Sequence, residues 1–319
     1  MKFKDLCEEL DKVLRLDVGF RGVVDKLYHA ARSLIGRPLA EATARLISET
    51  VCRRAMIVTG FKVFPKMVQE TDGPPGALVL AKTLVEMGFE VSLAIEEDSI
   101  EVLEAGADVI SLKCPIDSLP INSPLTDYSR KLFELRKPAL LIFVEKAGAN
   151  DVGVYHTMLG VDVSRYHSRA EDLLGEARRI GAKIIAIGDG GNEVGFGSIK
   201  DAVRAFVPRG KDCGCPCRGG IAASSKADIV VASSISNIGC YVVSCALTAL
   251  NCLTWHYDRN TEVKLLRAMI DTSAVDGMSG EGIAKTDGVP VEVSASLVDL
   301  LSYMASAYLE RAKGEGFRD

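Results

Sequence analysis

The sequence predicts an α/β fold in which a mostly parallel sheet is covered by helices on both faces. Three observations lead to this prediction. Short runs of consecutive apolar residues recur, without the polar–apolar alternation of a half-exposed strand. Segments whose apolar residues have helical spacing separate these runs. Polar residues directly follow several of the runs. The predicted strands lie at residues 55–60, 90–95, 107–112, 138–144, 183–188 and 227–233.

The helices are predicted from apolar periodicity and from proline positions. Leu6, Leu10 and Val13 recur at helical spacing near the N-terminus, and Pro38 suits the first turn of a later helix. Pro74 and the residue after it suit the start of another helix. Further helices are predicted around residues 100–103, up to 136 and over 170–180.

The order of these elements also predicts the domain organisation. Helices fill the first fifty residues, whereas strands and helices alternate afterwards. We therefore predict an N-terminal helical segment, residues 1–52, packed on a single α/β catalytic domain, residues 53–319. Within that domain, residues 115–124 carry three prolines and are predicted to form a loop.

The bulk properties exclude several functional classes. The 319 residues are 48% hydrophobic and 25% charged, which is enough for a large core. A net charge of -5 gives no electrostatic reason to bind nucleic acid. No apolar run reaches the roughly 18 residues of a membrane span, and Asp5 lies too early for a secretory signal. We expect a cytoplasmic protein that acts on a small anionic substrate, with a homo-oligomer left open.

The first chemically distinctive loop runs from Glu70 to Ala77 and reads Glu-Thr-Asp-Gly-Pro-Pro-Gly-Ala. Carboxylates grouped on a short loop suit a hard divalent cation such as Mg²⁺ or Mn²⁺, so Glu70 and Asp72 are predicted metal ligands. Gly73 and Gly76 would let a substrate approach the backbone and are predicted to contact it. The alternative is a helix N-terminus at which the acids complement the helix dipole.

The second loop covers residues 188–197 and reads Gly-Asp-Gly-Gly-Asn-Glu-Val-Gly-Phe-Gly. Asp189 and Glu193 are predicted to bind the same cation. Free backbone N–H groups at Gly190, Gly191 and Asn192 are predicted to hold an anionic substrate. The loop matches neither the dinucleotide-binding pattern nor a Walker motif. The alternative is a tight glycine turn with solvated acids.

Other predicted strands and helices also carry candidate functional residues at their ends. Glu145 would be a further metal ligand or a general base, a role that Glu193 could share, and Lys146 would neutralise a substrate carboxylate or phosphate. The alternative is an ordinary surface ion pair. Ser236 and Asn237 precede a long apolar segment, where they would cap a helix or bind an anionic substrate group. Ligands of parallel sheets bind at the carboxyl ends of the strands, so these residues are predicted to converge.

The nine cysteines are mostly set in apolar segments, as expected for buried thiols of a reducing compartment. Cys213, Cys215 and Cys217 are the exception, because they alternate in a glycine-containing loop. They could bind zinc or form a disulfide, but no second ligand pair is visible, and a flexible thiol-bearing loop is the alternative. An isolated histidine, His156, is predicted to be structural, and Asp276 is a weak candidate ligand.

The acidic loops and their neighbours together resemble one family. The motifs are Thr59-Gly60-Phe61, residues 70–77, residues 188–195 and Ser236-Asn237-Ile238-Gly239. Over about residues 50–310, the chain resembles the D-glutamate cyclase C-terminal domain family. The resemblance implies conversion of D-glutamate to 5-oxo-D-proline and water. In that reaction an amine attacks a γ-carboxylate, an unreactive electrophile that a Mn²⁺ or Mg²⁺ ion would polarise.

Two other functions are compatible with the same residues. Carboxylates that hold a metal, glycine-rich N–H donors and a nearby lysine are also the parts of a phosphate monoester hydrolase. A non-catalytic module that binds a metal or a metabolite is the third possibility. The residues alone do not separate the cyclase from the phosphatase.

Overall fold

The computed structural model of this chain describes residues 2–121 and 123–315. The strands of the described residues are β1 Arg54–Gly60, β2 Lys62–Val63, β3 Val68–Gln69, β4 Glu90–Glu96, β5 Ile116–Leu119, β6 Leu140–Lys146, β7 Lys183–Gly188, β8 Ile229–Ala232, β9 Lys285–Thr286 and β10 Val289–Pro290. The α-helices are α1 Phe3–Arg15, α2 Val24–Ile35, α3 Leu39–Glu49, α4 Pro74–Glu86, α5 Ile100–Val109, α6 Thr126–Arg136, α7 Ala170–Ile180, α8 Lys200–Phe206, α9 Ser236–Leu250, α10 Arg259–Thr272 and α11 Val291–Glu315.

Six of the strands form one parallel sheet in the order β5-β4-β1-β6-β7-β8. The chain runs outward from β1 to β4 and β5, and then returns to β6 on the other side of β1. The strand order therefore reverses between β1 and β6, which is the point where open α/β sheets bind ligands. A register shift between Thr59 and Gly60 disturbs this pair at its carboxyl end, where Gly60 lies opposite Lys146.

Helices cover both faces of the sheet, as the sequence predicts. Successive strand residues point to opposite faces. In β1, Ile57 packs into a core shared with α4, α5 and α9, whereas Met56 and Val58 pack into a second core shared with α6 and α7. The continuously apolar strands are explained by this arrangement, since neither face of the central strands meets water.

The N-terminal helices contribute to the larger core. Helices α1 and α3 pack against α9, whose residues from Ser236 to Ala249 are all buried. Leu10 and Leu39 belong to the same hydrophobic cluster as Ile57 and Val243. Residues 1–52 and 53–319 thus share a core wherever the structure describes them. Met1, Asn122 and residues 316–319 lie outside the described residues.

One predicted strand and one predicted loop are wrong. The segment 107–112 is the end of α5 followed by a turn, because short apolar runs do not distinguish a strand from a buried helix. The proline-rich stretch contains β5, which is an edge strand of the sheet. Pro115 and Pro120 flank this strand rather than interrupt it, and edge strands tolerate proline there. Within residues 2–121 and 123–315, none of the helices combines the length and the apolar character of a membrane span.

Candidate active site

Acidic side chains converge at the carboxyl ends of β1, β6 and β7, next to the point where the strand order reverses. Glu145 is the penultimate residue of β6 and Asp189 directly follows β7. Glu70 and Asp72 follow the small β2–β3 hairpin that extends from β1. Three segments that are distant in the sequence thus meet because parallel strands end at one edge of the sheet.

Asp72 and Asn237 link the N-termini of two helices. The Asp72 carboxylate accepts hydrogen bonds from the backbone N–H groups of Ser236 (2.8 Å) and Asn237 (2.9 Å), at the start of α9. In return, the Asn237 side-chain oxygen accepts from the N–H groups of Gly73 (3.0 Å) and Gly76 (2.8 Å), at the start of α4. Each helix therefore receives its cap from the other.

The same contacts fix Glu145. The Ser236 hydroxyl donates to Oε2 of Glu145 at 2.6 Å. Gly73 lies directly beneath it, with φ at +97°, and a Cβ added there would lie 2.8 Å from Cβ of Glu145. A glycine is required at this position by both the space and the backbone conformation. Glu145 itself has a φ of 41°, a strained backbone of the kind that clusters at functional sites.

Glu193 closes the second acidic loop. Its carboxylate accepts hydrogen bonds from the backbone N–H groups of Asp189 (2.8 Å), Gly190 (2.6 Å) and Gly191 (2.6 Å). The backbone N–H groups of Gly190 and Gly191, which the sequence predicts to bind an anionic substrate, are therefore bonded to Glu193 instead. This contact orients the Asp189 backbone while it leaves the Asp189 carboxylate to face the other acids.

Two residues that sequence analysis does not single out for the site also belong to it. Arg21, in the loop between α1 and α2, lies 2.5 Å from Oδ2 of Asp189 and 3.2 Å from Oδ2 of Asp287. Asp287 lies in the turn between β9 and β10. That turn is held by Asp276, which accepts from the N–H group of Gly288 at 2.7 Å. In sequence, Arg21 is one of many dispersed basic residues, and Asp287 shows only a turn signal.

The pKa values of the acids reflect this crowding. Burial raises the pKa of Glu70, Asp72 and Glu145 well above the ordinary range, and the neighbouring carboxylates raise them further. Burial and Asp189 raise the pKa of Asp287 to about 7, although Arg21 opposes them. For Asp189 too, burial raises the pKa against the effect of Arg21. The positive charge of Arg21 alone does not balance these acids.

The geometry offers two adjacent positions for a cation. Asp72, Asp189 and Asp287 each present an oxygen within 4.8 Å of the others, and so do Glu145, Asp189 and Glu193. Asp189 belongs to both groups. Buried carboxylates that outnumber their cationic partner Arg21 are a fitting donor set for a hard divalent ion.

A cavity of about 240 Å³ opens beside the acids. Its lining residues include Arg21, Lys62, Glu70, Glu145, Thr157, Met158, Leu159, Asp189, Asn192 and Asp287. A larger groove of about 460 Å³ lies elsewhere and has one acidic lining residue, Glu86. The smaller cavity is therefore the one that combines space with converging charge.

Several predicted site residues have other partners in the structure. The N–H groups of Gly73, Gly76, Gly190 and Gly191 are bonded within the protein, so they are not free for a substrate in the way that the sequence suggests. Of the predicted substrate contacts, Asn192 lines the cavity, and its side chain also donates to the carbonyl of His156 at 2.8 Å.

Lys146 does not line the cavity. Its side chain is fully buried and forms an ion pair with Glu96, which also accepts from the N–H (3.1 Å) and the hydroxyl (3.0 Å) of Ser168. Neither the predicted substrate-neutralising role nor a surface ion pair describes this environment. The lysine that lines the cavity is Lys62, which is paired with Asp98.

Comparison with known proteins assigns the family. The family model described as D-glutamate cyclase-like, C-terminal matches residues 10–302. The chain belongs to this family. The match starts at residue 10, so it includes most of the N-terminal helical segment, residues 1–52, which carries Arg21. Among curated proteins, the mitochondrial D-glutamate cyclase of Homo sapiens is 25% identical over 338 aligned positions. The alignment covers 92% of this chain and 51% of the human protein, so this family member spans about half the length of that relative.

Among solved structures, two of Escherichia coli tRNA N6-threonylcarbamoyladenosine dehydratase, one in complex with AMP, resemble the fold weakly. Their TM-scores are 0.30 and 0.28, at 12% and 13% identity. The alignments cover 70% and 72% of this chain and 92% and 95% of those chains. Similarity at this level carries no argument about the function.

Proposed function

We propose that this protein is a divalent-metal-dependent lyase that cyclises D-glutamate to 5-oxo-D-proline with release of water. The observation that carries the proposal is the convergence of five buried carboxylates and one partly buried carboxylate, that of Asp287, beside one small cavity. They are Glu70, Asp72, Glu145, Asp189, Glu193 and Asp287. The family membership of the chain supplies the reaction class.

The charges of the cavity suit the substrate. D-Glutamate carries one ammonium group, which the carboxylates attract, and two carboxylates, which need cations. Among the described residues that line the cavity, Arg21 and Lys62 are basic. A divalent ion, Mn²⁺ or Mg²⁺, bound among the acids would polarise the γ-carboxylate and so ease attack on its carbon.

The reaction requires a base beside the amine. The substrate ammonium must lose two protons, because the lactam nitrogen of the product keeps one. The departing γ-carboxylate oxygen gains both protons and leaves as water. Glu145 fits the transfer, because it lies in the cavity wall, is held by the Ser236 hydroxyl, and has a pKa raised well above its ordinary range by burial.

The proposal is tested by incubating purified protein with D-glutamate and measuring 5-oxo-D-proline by chiral chromatography. We expect turnover that EDTA abolishes and that Mn²⁺ or Mg²⁺ restores. E145Q and D189N should each lose at least about 100-fold in kcat/KM, whereas D108N, an exposed aspartate on α5, should match the wild type. Activity that is insensitive to EDTA and equal in all variants would contradict the proposal.

Parallel incubations address the other two functions. The phosphatase interpretation required free N–H groups in the glycine loop and Lys146 beside the substrate, but Glu193 occupies the N–H groups and Lys146 is paired with Glu96 outside the cavity. We therefore expect no hydrolysis of p-nitrophenyl phosphate by the metal-loaded protein. Binding of D-glutamate with no turnover at any metal concentration would instead support a non-catalytic module.

A further inference from the structure

A second cluster of potential metal ligands lies on the loop that carries three alternating cysteines. The sulfur atoms of Cys213, Cys215 and Cys217 are separated by 3.1, 3.3 and 3.4 Å. Nε2 of His156 lies 3.3 Å from the sulfur of Cys215 and 3.4 Å from that of Cys217. Four ligand atoms from two distant loops thus surround one point, and all lie within 4.8 Å of one another.

We propose that these four residues form a structural zinc site of the Cys₃His type. In a tetrahedral zinc site, bonds of about 2.3 Å to sulfur and about 2.0 Å to nitrogen give ligand-to-ligand distances of about 3.5–3.8 Å. The observed distances are shorter than these by about 0.1–0.7 Å. An ion would therefore need only a small outward movement of side chains that already point to a common centre.

Neighbouring polar groups hold the cysteine loop in place. The N–H group of Gly219 and the side-chain amide of Asn150 both approach the sulfur of Cys217, at 3.4 and 3.5 Å. The guanidinium of Arg209 donates to the carbonyl of Cys213 at 2.9 Å. Outer contacts of this kind orient metal ligands.

The ligand set distinguishes zinc from a disulfide. A disulfide would join two of the three sulfurs and would leave the third sulfur and the imidazole without a bonding partner. Three thiolates and one imidazole complete a tetrahedron around Zn²⁺ and leave no open position, which is the pattern of a structural site. Cys213 and His156 are each 1% exposed, so the site is closed from one side by the protein core.

The position of the site suggests what the ion does. It would tie residues 213–217 to the loop that follows β6, and the three residues after His156 line the cavity of the acidic site. The His156 carbonyl also accepts from Asn192 in the second acidic loop. Zinc would therefore hold one wall of that cavity in place. The metal site itself does not depend on the proposed reaction.

The direct test is the metal content and coordination of the wild-type protein, purified without chelator. We expect one zinc per chain by inductively coupled plasma mass spectrometry, and a zinc absorption-edge spectrum with three sulfur neighbours at about 2.3 Å and one nitrogen. Cobalt-substituted protein should show the visible bands of tetrahedral thiolate coordination. Absence of zinc together with no such bands, a disulfide within the loop, or stoichiometric iron or copper would each overturn the assignment.

Variants separate this site from the acidic one. C215S and H156A should lose zinc, whereas C52S and H29A, which change an exposed cysteine and an exposed histidine, should keep it. D189N should also keep its zinc while losing the proposed activity. If the ligand variants fail to fold, titration of wild-type thiols with a mercurial should still release one zinc per chain to a chromogenic chelator. Zinc retained in folded C215S and H156A, or no release from the wild type, would contradict the proposal.

Discussion

Glu145 and Lys146 are neighbours at the end of β6, yet their side chains enter two buried regions of opposite character. Lys146 meets Glu96 in a region where buried charges are balanced. Burial alone would raise the pKa of Glu96, but Lys146 and His167 outweigh it, so the pKa lies below the ordinary range. Glu145 enters a region of excess negative charge, where burial and then Asp189 raise its pKa. A balanced region needs nothing further, whereas an unbalanced one needs protons or a cation from outside.

The difference separates structure from function at one strand end. Position alone suggests that both residues serve the chemistry, because both lie at the carboxyl end of a central strand. Charge balance distinguishes them. Glu96 and Lys146 balance each other's charge within the protein, whereas the acids around Glu145 remain available to a ligand.

The largest expected effect is on the balanced pair. K146M leaves the buried Glu96 carboxylate without its cation and should lower the free energy of unfolding by about 3–5 kcal/mol, measured by urea denaturation. K183M, at the exposed first residue of β7, is the matched control and should change it little. A loss for K146M no greater than that of the control would refute the idea that this pair is structural.

Arg21 should show a smaller effect, because it offsets only part of the excess negative charge. R21M removes the contacts to Asp189, Asp287 and the Ser234 carbonyl, and should lower the stability of metal-free protein by about 1.5–3 kcal/mol. R15M, in the same N-terminal segment, removes a half-exposed pair with Asp25 and should cost less than about 1 kcal/mol. Equal losses in the two variants would show that Arg21 has no special role at the acids.

The unbalanced region should reveal itself in the pH dependence of the metal-free protein. The pKa of Asp287 is about 7 in the folded chain, above its ordinary value near 3.8. Between these values the folded state holds a proton that the unfolded state has released. Unfolding free energy should therefore fall as pH rises from 5 to 7, by up to about 1.4 kcal/mol per pH unit.

Denaturation of EDTA-treated protein at several pH values measures this slope. D287N should make the slope shallower, because one of the titrating groups is gone. A stability that rises with pH across the same window in metal-free protein would contradict the raised pKa.

The smallest expected effect concerns Ser236. S236A removes the hydroxyl that donates to Glu145, which should raise the pKa of Glu145 and move the acidic limb of the pH–rate profile to higher pH. The loss of this hydrogen bond should cost about 1 kcal/mol. S244A, a buried serine on the same helix whose hydroxyl has no hydrogen-bond partner, should leave the profile unchanged. A lower kcat with an unmoved profile would indicate a packing effect only.

The site could be predicted from sequence where local rules suffice. Glu70, Asp72, Glu145 and Asp189 stand at or just beyond the ends of apolar runs, so their convergence follows from parallel strands that end at one edge. The same reasoning misplaces Lys146, because strand position does not tell which neighbour a side chain meets. It also treats the backbone N–H groups of the glycine loop as free donors, because it cannot show that the Glu193 side chain folds back and accepts their hydrogen bonds.

The sequence by itself determined the layered α/β architecture, the acids at the strand ends and the family of this chain. These follow from the spacing of apolar residues and from motifs that are contiguous in the chain. Only the tertiary structure decided that Arg21 and Asp287 complete the acidic site, and that His156 lies beside three cysteines more than fifty residues away. The physical reason is that charge balance and ligand geometry depend on distances between segments, and no local pattern encodes those distances.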